Sequence, residues 1–505
     1  MGDQAGFEPE IAAPTRRELR VVLAGLMLAL TLAALDQNIV ATALPRIVSD
    51  LGGLAHLSWV VTAFLVASTA TTPLYGKFSD IYGRKPAFMV SIVVFLVGSA
   101  LCGLAQGMTQ LIVFRAIQGL GAGGLITLAQ TTIGDVVSPR ERGRYQGLFA
   151  AVFAGCSVAG PLLGGFITDA LSWRWIFYVN LPVGAVALAL IAAGLRRRAG
   201  TRTHQIDYAG ALLLIAATCC TLLVLSWGGS VYPWSSTPVI GLGAASVVLY
   251  AALVLVELRA VEPVLPPRLF ANSVFVLGVL VISLSAMALF AAVVFLPLFF
   301  QLVLGASPTR AGLMISPMMG GVICASVLGG RMVSRTGRYK RLPVFGLAAA
   351  TATYLAMAWV ASHGAPVGWV EAVLVMMGLG IGFVMPNLTT AIQNAVARRD
   401  LGAATSASAF LRSLGGALGV ALSGAILTTG LRGAPTAGVA AAQDLDHIAQ
   451  LPPAQHDAVV GAYAHALSAT FLVGAAIAGC AFVIVLFLPE RPLRSSQAEA
   501  VRPSA

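Results

Sequence analysis

Four charged side chains lie inside long apolar stretches of the sequence. Asp36, Arg115, Glu371 and Arg412 are each flanked by aliphatic and small residues. Charges inside a membrane are expensive, so they are rare and mark ion or substrate pathways by default. Burial penalises the ionised form of a carboxyl group, which suits a group that must gain and lose a proton. These four residues are therefore the candidates for proton coupling and substrate binding.

Each of these residues also has a purely structural interpretation. Asp36 could be held permanently by hydrogen bonds from a neighbouring helix, and Arg115 could brace backbone carbonyls. If their two helices are neighbours, Arg115 pairs with Asp36 when the acid is ionised. Glu371 is close enough to a helix end to reach the interface, and Arg412 is followed by small residues that allow close helix packing. The sequence leaves these alternatives open.

The composition requires a membrane around these charges. Of the 505 residues, 58% are hydrophobic and only 10% are charged. A water-soluble protein of this size could not cover its surface with so few charges. Disordered chains, disulfide scaffolds and cytosolic enzymes are thereby excluded. The predicted fold class is an all-α integral membrane protein.

Fourteen segments are long and apolar enough to cross a bilayer, for which about 20 residues are needed. Arginine and lysine concentrate in alternate connections, on the side that carries both termini, and this predicts a multi-pass protein with cytoplasmic termini. The net charge of +11 follows this pattern and does not indicate nucleic acid. The predicted spans are 21–43, 57–75, 87–106, 109–131, 145–168, 174–195, 207–227, 237–257, 272–301, 309–330, 342–361, 367–391, 405–430 and 467–488.

The sequence offers little chemistry besides these charges. All six cysteines lie in apolar stretches, and the histidines lie in or beside loops, so we expect no disulfide, haem or metal site. No phosphate-binding loop and no intramembrane metalloprotease motif occurs. We therefore expect a non-enzymatic monomer without cofactor or ATP drive, whose partners are protons, a small-molecule substrate and membrane lipids.

A short internal repeat divides the chain. The loop after the second predicted span, 76–84, aligns with the loop after the tenth, 330–338. A plain duplication would separate them by six spans, so two extra spans lie between the halves, and duplicated halves are a transporter plan. The predicted parts are a cytoplasmic tail at 1–20, a six-helix half at 21–195, a linker with two extra helices at 196–258, a second half at 259–488 with an outer loop at 431–466, and a cytoplasmic tail at 489–505.

Four stretches carry a family resemblance: 35–45, 76–85, 115–123 and 155–165, with further likeness at 173–182 and 207–210. By these motifs the sequence resembles the major facilitator superfamily, and within it the fourteen-span drug/proton antiporter branch. The resemblance implies a multidrug efflux transporter, with a bacterial inner membrane as the expected location.

The resemblance also implies a gate on the cytoplasmic side. The residues that match it are Gly76, Asp80, Gly83, Arg84 and Asp135. Such a cluster can latch the two halves together and open when the charge of the transport site changes. The alternative is a loop that only ends and orients the spans. In the second half Ser334 stands where Asp80 stands in the first, so no acid role is expected there.

The fifth predicted span contains the motif that the resemblance links to antiport. Its residues are Gly155, Gly160, Pro161, Gly164 and Gly165. Proline lacks an N–H and clashes with the preceding turn, while glycines permit close helix contact. We expect a hinge or a tight seal here. The alternative is ordinary packing, because both residue types are common in membrane helices.

The function that unites these features is proton/drug antiport. The predicted substrates are hydrophobic compounds, cationic or amphipathic, exported by alternating access. One alternative is a dedicated exporter of a single metabolite or lipid on the same fold. Uptake by proton symport and a non-transporting scaffold are the remaining alternatives.

Overall fold

We describe the protein from a computed structural model. The described residues are 16–52, 56–195, 207–229, 231–364, 366–431 and 452–493. Within these ranges the chain forms helices and no strand, which confirms the all-α prediction. Most of the predicted tail at 1–20, part of the tail at 489–505 and the linker segment 196–206 lie outside the described residues.

The first half of the chain ends in a broken helix. Its last pass is interrupted at Val179, and Pro182 lies in the first turn after the break, where its missing N–H costs no hydrogen bond. The helices are α1 (Arg16–Leu51), α2 (Leu57–Tyr82), α3 (Arg84–Leu104), α4 (Met108–Val136), α5 (Pro139–Ala170), α6 (Trp175–Tyr178) and α7 (Asn180–Gly194).

The rest of the chain begins with two helices that precede the second half. A second broken pass occurs later, at Phe383 and Val384, just before Pro386. The helices are α8 (Tyr208–Trp227), α9 (Thr237–Glu257), α10 (Pro267–Phe270), α11 (Ser273–Leu302), α12 (Pro308–Thr336), α13 (Arg341–His363), α14 (Val367–Gly382), α15 (Met385–Ala395), α16 (Leu401–Leu431) and α17 (Pro453–Leu486).

Thirteen helical stretches within the described residues are long and apolar enough to cross a membrane. They do not include α2, the second of the fourteen predicted spans. In this helix the hydroxyls of Thr71 and Thr72 donate within α2 and also to carbonyls of Leu120 and Gly123 in α4. A multi-pass helical bundle is confirmed, and the count of fourteen stays a prediction.

Two helices extend beyond the predicted spans. α1 continues to Leu51, past the predicted span end at 43, while its stretch that is apolar enough to cross a membrane is Arg17–Val40. α17 begins at Pro453, so residues 453–466 of the predicted outer loop 431–466 are helical. The first turns of α17 are polar and include His456 and Asp457, so hydropathy alone does not predict them, although their alanines favour a helix. Residues 432–451 of that loop lie outside the described residues.

Two sets of helices form separate buried cores. In the first half α1 packs on α5 and α7, and α4 packs on α2 and α3, around Leu26, Phe88 and Leu125. In the second half α11 packs on α16 and α17, and α13 packs on α14 and α17, around Phe299 and Tyr354. α8 and α9 pack on each other, and α8 also contacts α2 and α16. The two extra helices therefore lie beside a seam between the halves.

The halves meet mainly through α2 with α16 and α5 with α12, with smaller contacts of α4 with α16 and α5 with α15. We call the side of the bundle where α1 begins and α17 ends the terminal face. There Val22 of α1 packs on Gly194 at the end of α7, and Lys340 before α13 donates to the Leu486 carbonyl of α17.

The two repeated loops both lie at the terminal face and share a backbone requirement. Gly83 has φ +91 and Gly337 has φ +70. Side chains disfavour this left-handed region, so glycine is the residue that suits both positions. The aligned glycines thus share a positive φ, while their ψ values of 159 and 2 show that the two turns differ.

Candidate functional site

Asp36 is the centre of a buried polar cluster in the first half. Its side chain is 0% exposed. Oδ2 accepts a hydrogen bond from Arg115 at 2.6 Å, and Oδ1 accepts from Gln118 Nε2 at 2.8 Å and from Asn180 Nδ2 at 3.1 Å. All three neighbours donate, so these surroundings match an ionised carboxylate. The structure thus brings together the two charges that the sequence places on different spans.

Arg115 is buried as deeply as its partner. Its guanidinium also donates to the Val60 carbonyl at 3.2 Å and to Gln118 Oε1 at 2.7 Å. The Phe64 ring centre lies 4.1 Å from the central guanidinium carbon, which is a cation–π distance. Arg115 therefore does both things that the sequence leaves as alternatives: it pairs with the acid and it braces a backbone carbonyl.

Three members of the cluster have no role in the sequence analysis. Ser99 Oγ accepts from Gln118 Nε2 at 3.2 Å and from Asn180 Nδ2 at 3.0 Å, and it donates to the Phe177 carbonyl at 2.8 Å. Gln118 and Asn180 lie in the motif stretches 115–123 and 173–182, and that is the sequence feature that could have pointed to them. A single amide or hydroxyl in a span does not by itself indicate a functional site, because its role depends on the residues that contact it in the folded protein.

Glycines allow the helices to approach closely enough for this cluster. Gly98 of α3 lies against the backbone of Gln118, where a side chain would collide. A Cβ at Gly119 would lie 2.5 Å from the Phe64 carbonyl of α2. The fourth-helix motif therefore combines the polar groups of the cluster with the small residues that bring α2 and α3 against α4.

Glu371 and Arg412 lie outside this cluster. Both are half-buried, Glu371 near the start of α14 and Arg412 in α16, and neither makes a hydrogen bond or ion pair with a residue that the structure describes. The four predicted coupling residues thus separate into a bonded pair in the first half and two single charges in the second. Within the described ranges no group of three His, Cys, Asp or Glu side chains could hold a metal ion.

Three of the predicted gate residues form an ion-pair cluster at the terminal face. Arg84 donates to Asp80 at 2.5 Å and to Asp135 at 2.5 Å. Asp80 also accepts the backbone N–H groups of Gly402 at 2.9 Å and Ala403 at 2.7 Å, in the first turn of α16. A helix N-terminus attracts anions because its first N–H groups lack helical partners and its dipole is positive there. A carboxylate of the first half therefore caps a helix of the second half.

Gly76 completes this contact between α2 and α16. A side chain at Gly76 would collide with Ser406, and its Cβ would lie 2.5 Å from the Gly402 carbonyl. The predicted gate loop thus contributes a carboxylate, which bonds across the seam, and a glycine, which lets the backbones approach.

The equivalent loop of the second half makes a different contact. Gly330 lies against Gly143 of α5, and a Cβ at Gly330 would collide with the Gly143 carbonyl. One turn along α5, a Cβ at Gly147 would lie 2.9 Å from the Ser326 carbonyl. At this seam the two backbones touch because glycine leaves the space.

The predicted hinge motif lies in α5, which continues through Pro161 without a break. Gly160 and Gly164 face α1: a Cβ at Gly160 would lie 2.6 Å from the Asn38 Cβ, and one at Gly164 would collide with Thr42. A Cβ at Gly155 or Gly165 would meet no described atom within 4 Å. Two glycines of the motif therefore allow α5 to contact α1, and the other two contact no described neighbouring helix. The role of this motif as a hinge or a tight seal stays a prediction.

α5 and α12 touch most closely at the terminal face. Gly165 and Gly312 lie on the same helix faces as Gly147 and Gly330, about five turns and roughly 27 Å further along. A Cβ at Gly165 or Gly312 would meet no described atom within 4 Å, whereas those at Gly147 and Gly330 meet the partner helix. The backbone contact at the terminal face therefore does not recur at these two positions.

Comparison with known proteins places this geometry in a family. Residues 26–420 match the Major Facilitator Superfamily. The chain is 38% identical over 407 residues to the multidrug transporter protein MdtP of Bacillus subtilis (strain 168), covering 81% of this chain and 75% of the relative. It is 36% identical over 497 residues to multidrug resistance protein 3 of the same organism, covering 94% and 96%.

Solved structures show the same fold at low sequence identity. The human organic anion transporter MFSD10 (TETRAN) superposes with a TM-score of 0.63 and 15% identity, over 93% of this chain and 100% of that chain. The family match covers most of the first half, both repeated loops and the second half as far as residue 420. This protein belongs to the Major Facilitator Superfamily and is a multi-pass membrane transporter, not an enzyme.

Proposed function

We propose that the protein exports hydrophobic, cationic or amphipathic compounds in exchange for protons. It works as a monomer in the bacterial inner membrane, with fourteen spans and both termini in the cytoplasm. The terminal face is then the cytoplasmic face. The length of α2, 26 residues, and the satisfied hydroxyls of its threonines support its assignment as the fourteenth span.

The observation that carries this proposal is the environment of Asp36. Taking two charges out of water costs several kcal/mol each, and their attraction offsets this only when the geometry is good. A stable bundle does not need such a pair, because apolar residues of similar volume pack as well. An ionisable pair at this depth serves a group whose charge changes. Asp36 is the coupling acid, and Arg115 is its counter-ion in the unprotonated state.

Alternating access follows from the two seams. The Asp80 cap and the Gly143–Gly330 contact support a conformation that is closed toward the cytoplasm and open outward. Asp36 takes a proton from outside as the substrate leaves. The terminal face then opens, the proton passes to the cytoplasm, and the ionised acid favours binding of the next substrate. Gly160 and Gly164 hold α5 against α1 while its open end moves relative to α12.

The second half supplies the substrate contacts. Glu371 and Arg412 lack protein partners among the described residues, so their charges are free to interact with a bound compound. The names of the two Bacillus subtilis relatives support drugs as the substrate class. One intramembrane acid in each half favours lipophilic cations as substrates.

The test is proton-driven transport of ethidium in proteoliposomes that contain the purified protein. We expect Asp36→Asn to abolish uphill transport at equal protein level, because an amide does not exchange protons. Glu371→Gln is the matched control, an acid-to-amide change in the other half. It should raise the KM for ethidium a few-fold and leave the coupling to protons intact.

Each other outcome revises a named part of the proposal. If Asp36→Asn transports as well as wild type while Glu371→Gln does not, Glu371 is the coupling acid. If wild type moves none of several lipophilic cations but the proton gradient drives a single metabolite or lipid, the protein is a dedicated exporter. If a reversed gradient leaves the direction of flux unchanged, proton coupling is wrong.

A further inference from the structure

The cluster around Asp36 contains donors for the ionised acid but no evident acceptor for the protonated one. Arg115, Gln118 and Asn180 all donate to its two oxygens. A protonated carboxyl carries an O–H that must itself donate, and a buried donor without an acceptor costs about 1–3 kcal/mol. Any cycle in which Asp36 takes up a proton therefore requires one neighbour to change from donor to acceptor.

Gln118 is held in its present orientation. Its Oε1 accepts from Arg115 at 2.7 Å and from the Cys102 thiol at 3.7 Å. Turning this amide would point its N–H groups at the guanidinium, which has only donors. Gln118 therefore stays a donor toward Asp36 for as long as Arg115 remains in place.

Asn180 has no such constraint. Its side chain is 1% exposed, and its Oδ1 has no hydrogen-bond partner among the described residues, although every other acceptor of the cluster has one. Its Nδ2 lies 3.1 Å from Asp36 Oδ1 and 3.0 Å from Ser99 Oγ. The torsion of a terminal amide is soft and roughly two-fold. A half-turn would place Oδ1 where Nδ2 is now, within hydrogen-bond distance of the acid.

We propose that Asn180 is the positioning residue that holds both protonation states of Asp36, by donating through Nδ2 to the carboxylate and accepting at Oδ1 from the carboxyl O–H after its amide turns. This rests on the proposed role of Asp36 as the coupling acid. The proton binds at Asp36 Oδ1 and leaves from there to water, and no covalent bond of Asn180 changes. The turn pairs Oδ1 and leaves the two N–H groups of Nδ2, which now donate to Asp36 and Ser99, without a described partner.

The turn of the Asn180 amide also changes the hydrogen bond that Ser99 makes near the break between α6 and α7. Its hydroxyl now donates to the Phe177 carbonyl at 2.8 Å. When Asn180 Oδ1 arrives 3.0 Å away, the single O–H of Ser99 must turn to it to avoid facing lone pair to lone pair. The Phe177 carbonyl then loses its donor, two residues before the helix break at Val179.

Few other titratable groups face this site. Arg115 comes from α4, and Cys102 of α3 reaches it through Gln118. Cys156 of α5 lies further along α1, where its thiol approaches the Thr31 carbonyl. Tyr178 of α6 points at Gly103 of α3, and α7 carries no titratable side chain. The change in charge at this site is therefore that of Asp36.

The experiment is pH-difference infrared spectroscopy of the purified full-length protein in lipid nanodiscs, with the Asp36 carboxyl band assigned by its loss in Asp36→Asn. In Asn180→Leu we expect this C=O band at a higher wavenumber than in wild type, because the O–H has lost its acceptor. The kcat for ethidium transport should fall about tenfold with little change in KM. A band at the wild-type position in Asn180→Leu would overturn the proposal.

Asn387 provides a matched control. It is also 1% exposed, follows the other helix break, donates through Nδ2 to the Phe383 carbonyl and has an unpaired Oδ1, but no acid lies beside it. Asn387→Leu should leave the Asp36 band where it is. If both leucine variants shift the Asp36 band equally, the shift is a non-specific effect of destabilising the helix packing, and the assignment to Asn180 is wrong.

A second measurement needs no change at Asn180. In wild type with ¹³C at the asparagine side-chain carbonyls, an amide band should move to lower wavenumber on acidification, and the shift should be absent in Asp36→Asn. If this amide band does not shift in wild type on acidification, the proposed turn of the Asn180 amide is wrong. If wild type transports but no Asp36 carboxyl band titrates at all, the coupling acid lies elsewhere, and it is the proposed function that fails.

Discussion

In the first half Asp36 and Arg115 face each other at 2.6 Å inside a ring of hydrogen-bond donors, whereas in the second half Glu371 and Arg412 make no ion pair with any described residue. The pair is fully buried, and the single charges are half-buried. A fully desolvated charge requires a fixed partner, while a charge with access to a cavity can take its partner from solvent or substrate. The halves thus share a fold and differ in chemistry.

The two seams between the halves also differ in chemistry, since one contact involves a charge and the other does not. The first-half loop uses a carboxylate, Asp80, to cap α16, while the second-half loop uses Gly330 to lay backbone on backbone against α5. The hydrogen bonds from the start of α16 to the Asp80 carboxylate can be weakened by a change of its charge. The glycine contact depends on shape alone and offers no charge to regulate. A duplicated fold has therefore become asymmetric at its seams, with a carboxylate capping a helix at one and glycine backbones in contact at the other.

The largest difference in stability should appear between two single variants, each of which removes the intramembrane arginine of one half. Arg115→Gln leaves Asp36 buried without its counter-ion, and breaking such a pair costs about 3–5 kcal/mol. Arg412→Gln removes a charge that has no described partner, so stability should stay the same or rise. The measurement is the apparent melting temperature of both variants in the same detergent at neutral pH. Equal losses would mean that Arg412 has a structural partner after all, and the contrast between the halves would disappear.

A somewhat smaller effect is expected from Gly330→Val. The added side chain must push α5 and α12 apart at the terminal face, at a cost of about 1–3 kcal/mol, and this should lower the population of the closed conformation roughly 5- to 150-fold. Spin labels at Arg144→Cys and Arg331→Cys should report a longer distance. Gly320→Val, on the same helix with no described atom within 4 Å, is the control and should leave the distance unchanged.

The smallest effect should follow Asp80→Asn. The amide oxygen still accepts from the start of α16, but the charge that interacts with the helix dipole and with Arg84 is lost, worth about 1 kcal/mol or several-fold in rate. Asp135→Asn removes the negative charge beside the same Arg84 without touching the second half. Ethidium transport should therefore fall further in Asp80→Asn. The reverse order would place the gate within the first half and not across the seam.

Several features of the site were accessible from residue types alone. Charges in apolar stretches identified Asp36 and Arg115, and the loop motif identified Asp80, Arg84 and Asp135. Ser99, Gln118 and Asn180 were not identified as a cluster, because polar amides and hydroxyls are unremarkable until their distances are known. The start of α17 was missed because its first turns are polar, and hydropathy predicts burial in lipid, not helix formation.

The sequence by itself determined that the chain lies in a membrane, that it is helical and duplicated, and which charges are candidates for chemistry. These follow from composition, period and pattern, which are local properties of the chain. Only the tertiary structure decided which charges pair, which glycines touch and which acceptor stands empty beside Asp36. Each of these is a distance between residues far apart in sequence, set by how whole helices pack, and no local pattern contains it.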